Sequence, residues 1–183
     1  MAGKIDFAAA LRERVAMLEG TPVAEVKALL ERLTLQPGIT ELVDRCRKQR
    51  IPCYMVSGGF TILAEPLGEI VGMSGVRANR FGIRTQWEER QTAPLEVLSG
   101  QVEGPLVDAQ GKRQYLLETC AQEGFAPSEV IAVGDGANDL LMIETALYGV
   151  GLKPKEALRP VLHLQNQLGD HRLLGYFLYG DLS

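Results

Sequence analysis

The sequence predicts an α/β fold in which a parallel sheet lies between two layers of helices. From residue 38 onward, short apolar runs alternate with stretches of helical periodicity. Two of the apolar runs, 51–56 and 129–133, lead directly into glycine-rich polar loops. This alternation is typical of parallel sheets, which bind ligands beyond the carboxyl ends of their strands. We therefore expect the chemistry of the protein at these two loops.

The individual elements follow from the spacing of apolar residues. Steps of three and four residues predict helices, and short apolar runs bounded by turn residues predict strands. The turn Pro37-Gly38 predicts a boundary between an N-terminal helical piece, residues 1–37, and a core, residues 38–183. Predicted helices cover 6–19, 23–33, 39–49, 60–71, 112–123, 139–147 and 172–179; predicted strands cover 51–56, 129–133, 149–152 and 161–164, with further strand residues at Val76, Phe81 and Ile83 and an exposed loop at 87–94.

Composition limits the classes of partner. The 183 residues carry a net charge of −4 and no stripe of basic residues, so nucleic acid is not expected to bind. No segment reaches the roughly 20 apolar residues of a membrane span, and the N-terminus lacks the apolar region of a signal peptide. The three cysteines, Cys46, Cys53 and Cys120, are widely spaced, which indicates core residues in a reducing compartment. A cytoplasmic location is expected.

The first polar loop, Ser57-Gly58-Gly59, follows the predicted strand 51–56 and precedes a predicted helix. Backbone amides at a helix N-terminus are unpaired and lie at the positive end of the macrodipole. Glycines let a phosphate approach those amides, and Ser57 adds a hydroxyl donor. The alternative is a serine N-cap followed by flexible glycines, because serine is a preferred cap.

The second polar loop is Gly134-Asp135-Gly136-Ala137-Asn138-Asp139. Two carboxylates four residues apart, with an asparagine between them, can direct oxygens at a hard cation such as Mg²⁺. An EF-hand is excluded because Ala137, Leu140 and Ala146 stand where that motif needs its ligands and its glycine. The alternative is a tight turn with an aspartate cap.

Two basic residues stand out beside these loops. Lys112 lies near the start of a predicted helix, where its charge opposes the macrodipole, so a phosphate partner would explain its place. Arg14 precedes the inward-facing Val15 and lies at the edge of a helix face. The alternative for both is an ordinary solvated charge.

These segments, in this order, resemble the phosphoserine phosphatase branch of the haloacid dehalogenase superfamily. Residues 56–60 are similar to the family's second motif, Lys112 falls at its third-motif lysine, and residues 131–139 are close to its fourth motif. Residues 3–15 are similar to the cap segment that recognises the amino-acid end of the substrate, and Ala78-Asn79-Arg80 also matches. The resemblance implies a three-layer, Rossmann-like parallel sheet with a small helical cap.

The resemblance also implies roles for matching residues. Ser57 and Lys112 would hold the phosphoryl oxygens. Asp135 would ligate Mg²⁺ as the cofactor. Asp139 and Asn138 would support the metal and the phosphate.

On the substrate side, the resemblance implies a small phosphorylated amino acid. Arg14 would pair with its carboxylate, for which a guanidinium is well suited. Phe7 and Met1 would wall the pocket, and the backbone amides of Gly58 to Phe60 would contact the substrate.

One motif of the family is missing. Its members begin with a strand that ends in an aspartate-x-aspartate pair; the first carboxylate attacks phosphorus, and the second protonates the leaving alcohol and then activates water. The sequence contains no Asp-x-Asp, and Asp6, Asp44 and Asp108 follow no buried strand. In the family this strand lies between those predicted at 51–56 and 129–133, so the first core strand is expected to be absent from the middle of the sheet. Loss of the general acid alone lowers the reaction rate by a factor of about 10²–10⁴.

The leading interpretation is a phosphoserine-phosphatase-like chain without its N-terminal strand, which a start site placed too late, or a fragment, would explain. The complete enzyme would hydrolyse O-phosphoserine to serine and phosphate with Mg²⁺, in serine biosynthesis; the chain alone is expected to be inactive. Three alternatives stay open: a non-catalytic module that binds phosphate or a phospho-amino acid, a sheet completed by a strand from another chain, and a phosphatase for another small phosphate ester. A homodimer also stays open.

Overall fold

The computed structural model describes residues 7–87 and 94–180. Helices and strands alternate over these residues, and the predicted α/β class is confirmed. The helices are α1 Phe7–Ala16, α2 Val23–Ala28, α3 Ile39–Lys48, α4 Thr61–Val71, α5 Ala109–Glu123, α6 Leu140–Thr145 and α7 Arg172–Tyr179. The strands are β1 Tyr54–Phe60, β2 Gly75–Gln86, β3 Leu95–Glu103, β4 Ile131–Gly134, β5 Tyr148–Leu152 and β6 Leu164–Asn166. Short 3₁₀ turns cover Leu29–Arg32, Pro127–Glu129, Ala137–Asp139 and Glu156–Val161.

The strands form two three-stranded sheets. In the first, β1 pairs in parallel with β2, and β2 pairs antiparallel with β3. In the second, β4, β5 and β6 are all parallel. Over the described ranges no ladder joins β1 to β4, so each of these two strands keeps one unpaired edge. The interior strand β5 is buried from Gly149 to Gly151, whereas every residue of β1 retains some exposure.

Side-chain packing, rather than a ladder, holds the two sheets together. One apolar cluster contains Ala132 of β4, and Val56 of β1 packs against it. A second cluster includes Leu42 of α3, and it is flanked by Cys53 before β1 and by Val133 of β4. The two strands with unpaired edges therefore share neighbours on both faces, as expected if the middle strand of one sheet were absent.

The N-terminal helices pack on the first sheet. Val23 and Val26 of α2 form an apolar cluster with Leu98 of β3, which is fully buried. An isolated antiparallel bridge joins Pro22 to Val97. This packing places α1 and α2 beside the β2–β3 hairpin, and α1 itself contacts β3.

Several predicted bounds are corrected by the structure. The strand predicted at 51–56 begins at Tyr54 and continues through the glycines to Phe60, because β2 supplies a pairing partner beyond the apolar run. The strand predicted at 161–164 is wrong: residues 156–161 form a 3₁₀ turn, and pairing with β5 begins only at Leu164. The helix predicted at 139–147 begins as a 3₁₀ turn and ends at Thr145.

The predicted loop at 87–94 lies mostly outside the described residues, although Trp87 is 70% exposed. None of the helices in the described ranges is both long and apolar enough to cross a lipid bilayer.

Candidate active site

The second polar loop, residues 134–139, follows β4 and is built around the buried carboxylate of Asp139. Its Oδ2 accepts hydrogen bonds from the backbone N–H groups of Asp135 (2.9 Å) and Gly136 (3.1 Å). A Cβ on Gly134 would lie 2.5 Å from the Asp139 Cβ, so the carboxylate can fold back onto the loop only because residue 134 is glycine. Asp139 thus holds the loop in shape with one of its oxygens.

The other oxygen of Asp139 pairs with Lys112. The distance from Lys112 Nζ to Asp139 Oδ1 is 2.5 Å, and the two side chains are 13% and 6% exposed. Lys112 reaches this position from the first turn of α5, which Asp108 caps by accepting a hydrogen bond from the Gly111 N–H at 2.8 Å. Removing either side chain would leave the other one buried without its partner.

An open pocket of about 290 Å³ lies against this ion pair. Asp135 and Asn138 present exposed side chains to it, while Asp139 forms part of its buried wall. The lining residues are Lys112, Asp135, Gly136, Ala137, Asn138, Asp139 and Lys155. The pocket therefore combines two cationic side chains with carboxylates, a set suited to holding an anion beside a metal ion.

Lys155 is a lining residue that the sequence analysis missed. Its backbone N–H donates to the Asp135 carbonyl at 2.8 Å, and its Nζ lies 4.0 Å from Asp135 Oδ2. It follows β5, the parallel neighbour of β4, and neighbouring parallel strands end at the same edge of a sheet. That rule, applied to Lys153-Pro154-Lys155 after the predicted strand 149–152, would have found it.

The first polar loop, residues 57–59, is a bulge in β1. Val56 pairs with Arg77 and Phe60 with Asn79, so the bulge places three residues opposite a single one. Within it, the Gly59 N–H donates to Ser57 Oγ at 3.0 Å. The serine oxygen therefore accepts within the loop, which leaves its hydroxyl hydrogen to donate elsewhere.

The remaining predicted residues take different positions. A Cβ on Gly58 would lie 3.6 Å from Phe7 Cζ, so Phe7 contacts the 57–59 loop. Arg14 is exposed in the last turn of α1. As the described residues define it, the pocket lining does not include Ser57, Phe7 or Arg14, and Met1 lies outside the described residues.

Helix α5 lies between the strand that carries the first polar loop and the turn that belongs to the second. It contacts both β1 and the 3₁₀ turn Ala137–Asp139. The strands leading into the loops also share an apolar cluster, through Val56 and Ala132. Lys112 therefore sits on a helix that contacts both β1 and the turn of the second polar loop.

The donor set fits Mg²⁺ in part. Over residues 7–87 and 94–180 there is no group of three His, Cys, Asp or Glu side chains placed to hold a metal. Both oxygens of Asp139 are engaged, which leaves Asp135, with a side chain 65% exposed, as the available carboxylate. Protein-bound Mg²⁺ commonly uses one or two carboxylates together with waters and phosphate oxygens. The Asp135 carboxylate alone would supply only part of such a ligand set.

Comparison with known proteins identifies the family. The model of the haloacid dehalogenase-like hydrolase family matches residues 1–144. The phosphoserine phosphatase of Archaeoglobus fulgidus is 37% identical over 161 residues, which is 88% of this chain and 44% of that protein. The phosphoserine phosphatase of Albidiferax ferrireducens is 36% identical over 184 residues, covering 97% of this chain and 73% of the relative. The chain thus spans less than half of the first relative and about three quarters of the second.

Solved structures agree with the sequence comparison. A haloacid dehalogenase family hydrolase from Salmonella enterica serovar Typhi has a TM-score of 0.84 and 32% identity, covering 98% of this chain and 58% of that one. A phosphoserine phosphatase solved as a phospho-aspartyl intermediate analogue has a TM-score of 0.81 and 28% identity, covering 97% and 79%. The two relatives compared above are phosphoserine phosphatases, and the chain belongs to the haloacid dehalogenase-like hydrolase family.

Proposed function

We propose that this chain is the phosphate- and metal-binding part of a Mg²⁺-dependent phosphoserine phosphatase, and that by itself it binds O-phosphoserine without hydrolysing it. The observation that carries the proposal is the buried pair of Lys112 and Asp139, which forms one wall of an open pocket beside the Asp135 carboxylate. Burying a lysine in this way costs solvation energy, and a dianionic ligand beside the ammonium offsets part of that cost.

Each polar group has a defined task in this proposal. The Lys112 ammonium donates to phosphoryl oxygens, while Asp139 keeps it in place and holds the 134–139 loop in shape. The Ser57 hydroxyl donates to the same phosphoryl oxygens, and its own oxygen accepts from the Gly59 N–H. Asp135 would hold Mg²⁺, which supplies positive charge to the phosphoryl group when bound. Such donors stabilise the charge that develops during phosphoryl transfer.

The substrate is proposed to be a phosphorylated amino acid. Several relatives are phosphoserine phosphatases, and one of the structural neighbours is a substrate-bound phosphoserine phosphatase complex. The Phe7 ring against Gly58 gives an apolar wall beside the phosphate loop. The exposed Arg14 guanidinium is available to a substrate carboxylate. We propose that the complete enzyme acts in serine biosynthesis, in the cytoplasm.

Hydrolysis needs a nucleophile that this sequence does not contain. Phosphoryl transfer to an aspartate needs a carboxylate in line with the phosphorus atom, and the chain has no Asp-x-Asp. The Asp139 carboxylate is unsuited to this task, because it is tied to Lys112 and to two backbone amides. The same reasoning favours, as a second candidate, a permanent role as a non-catalytic binding module for phosphate or a phospho-amino acid.

The test combines a binding and a turnover measurement on the full chain. Calorimetric titration with phosphoserine in MgCl₂ should show binding, and phosphate release should stay at background. Asp135→Ala should remove the dependence of binding on Mg²⁺, and Lys112→Met should remove the binding. Turnover that Asp135→Ala abolishes would contradict the proposed inactivity. Absence of binding would contradict the proposal as a whole, and tighter binding of a different phosphate ester would redefine the substrate.

A further inference from the structure

Asn79 of β2 is the most deeply buried polar residue in the described part of the chain, at 1% exposure. Its Nδ2 donates to the Gly58 carbonyl at 2.9 Å, and its Oδ1 accepts from the Val107 N–H at 2.8 Å. The orientation of the amide is fixed, because a carbonyl can only accept and a backbone N–H can only donate. One side chain thus joins two segments that are far apart along the sequence.

The first of these segments is the 57–59 bulge. A bulge interrupts the ladder and leaves backbone groups without their strand partner. Asn79 pairs with Phe60 in the register, immediately after the bulge, and its side chain reaches back to the Gly58 carbonyl. The orientation of that peptide group fixes the Gly59 amide, because the Gly58 carbonyl and the Gly59 N–H belong to one planar unit. Asn79 therefore holds the backbone of the proposed phosphate loop.

The second segment leads into α5. Val107 is 4% exposed and directly precedes Asp108, the residue that caps α5. The Lys112 N–H donates to the Asp108 carbonyl at 2.9 Å, so the position of Val107 is transmitted to the first helical turn. The bond from Val107 to Asn79 consequently sets where the helix that bears Lys112 begins.

We infer that Asn79 is a positioning residue that holds the 57–59 loop and the start of α5 at a fixed separation, so that the Ser57 hydroxyl, held by the Gly59 N–H, and Lys112 converge on one phosphoryl group. This inference rests on the proposed function. A leucine of similar size would fill the same space, but it would leave the Gly58 carbonyl and the buried Val107 N–H without their hydrogen-bond partner. The hydrogen bond to Gly58 can be removed and restored experimentally while the hydrogen bond to Val107 is kept.

In the variant Asn79→Asp, pH decides whether the side chain makes both of these hydrogen bonds or only the one to Val107. When the introduced side chain is a carboxylate, it still accepts from the Val107 N–H but repels the Gly58 carbonyl oxygen. When it is a neutral acid, it can donate its O–H to that oxygen and restore both bonds. Burial raises the pKa of a carboxyl group in such a place, so the neutral form is expected at mildly acidic pH.

The measured quantity is the ratio of the dissociation constants of variant and wild-type chain for inorganic phosphate in MgCl₂, taken at pH 5 and pH 8. Taking the ratio cancels the titration of phosphate itself. We expect a ratio near one at pH 5 and about tenfold weaker binding by the variant at pH 8, the effect of losing roughly one hydrogen bond. Circular dichroism at both pH values shows that the variant is folded where binding is measured. Asn79→Leu should bind weakly at both pH values.

A ratio that is unchanged between pH 5 and pH 8 in a folded variant would overturn the inference. The ¹⁵N–¹H resonances of Gly59 and Val107 provide a readout that does not depend on ligand. In Asn79→Asp, the Gly59 resonance should move between the two pH values more than it does in the wild type, while Val107 should move little. If the wild-type chain does not bind phosphate, the proposed function is wrong, and the Gly59 resonance alone then decides the role of Asn79.

Discussion

At the scale of single residues, the ion pair of Lys112 and Asp139 is the feature on which the proposed binding depends most. Lys112→Met leaves the Asp139 carboxylate 6% exposed and without its cation. We expect the free energy of unfolding to fall by about 3 kcal/mol. This value is at the lower end of the range for a broken buried ion pair, because two backbone N–H groups still donate to Asp139. Urea unfolding measures this change, and phosphoserine titration should show loss of binding.

Lys155→Met is the matched control for that variant. Lys155 faces the same pocket, but its side chain is 75% exposed and lies 4.0 Å from an Asp135 carboxylate that is 65% exposed. Exposed pairs contribute about 0–1 kcal/mol, so stability should hardly change. Equal losses of stability in the two variants would show that the Lys112–Asp139 pair contributes no more to stability than an exposed ion pair.

A third residue-scale effect depends on pH. The Arg172 guanidinium and backbone N–H, which bond to the Asp170 carboxylate, lower its pKa to about 2. A carboxyl group with a lowered folded-state pKa stabilises the fold above its unfolded pKa of about 3.9, and that contribution is lost as the pH falls toward the folded value. The stability difference between wild type and Asp170→Asn should therefore be constant from pH 7 to about 5 and should shrink between about pH 4 and pH 2. Urea unfolding at a series of pH values checks this; a difference unchanged at about pH 2.5 would contradict it.

At the scale of elements, Gly111 lies in the first turn of α5, and helix propensity alone would wrongly predict that replacing it stabilises the chain. In the first turn, Gly111→Ala should gain up to about 1 kcal/mol from propensity. A Cβ there, however, would lie 2.6 Å from the Leu106 carbonyl oxygen, which belongs to the backbone and cannot swing away. Overpacking of this kind costs about 1–3 kcal/mol, so we expect a lower melting temperature together with weaker phosphate binding through the adjacent Lys112.

Gly175→Ala in α7 is the control for this substitution. Its Cβ would lie 3.8 Å from Leu42 Cδ1, an ordinary van der Waals distance, so the propensity gain should appear as a higher melting temperature. If both substitutions stabilise the chain, the backbone at Leu106 can move away from a Cβ at position 111 at little cost. The predicted destabilisation by Gly111→Ala would then be wrong.

The elements also show how far the sequence could lead. The helices were predictable because their apolar faces recur at helical spacing, and both polar loops were predictable because glycines and acids follow apolar runs. The extension of β1 to Phe60 was not, since it depends on pairing with β2, which is remote in sequence. The strand predicted at 161–164 failed for the same reason: β6 is defined by its register with β5, from Leu164 onward.

The candidate site was predictable in its residue types and not in its pairings. The motif spacing identified Lys112 and Asp139 individually, but their contact depends on how α5 packs against the turn after β4. The contact of Lys155 with Asp135 and the two hydrogen bonds of Asn79 likewise depend on tertiary packing. Local patterns thus point to where chemistry is concentrated, and only the folded chain shows which side chain restrains which.

At the scale of the whole molecule, the division into two sheets is the dominant feature. In the described residues β1 and β4 each present an unpaired edge, although they share apolar neighbours such as Val56 and Ala132. An edge strand presents a row of unpaired backbone N–H and C=O groups, so a strand that pairs with both edges would satisfy these groups and stabilise the chain. Such a strand would also end beside the two polar loops.

This leads to the last prediction, which rests on the proposed function. A synthetic peptide with a short apolar strand followed by Asp-x-Asp should insert in parallel between β1 and β4, by the backbone pairing that governs strand addition. Hydrogen exchange should slow at amides of β1 and β4 and stay unchanged in the interior strand β5, which already pairs on both sides. Phosphate release from phosphoserine should appear with the peptide, and a peptide carrying Asn in place of both aspartates should protect the same amides without supporting turnover. A scrambled peptide should do neither. Unaltered exchange at β1 and β4 at saturating peptide would show that the space between these strands does not accept a strand.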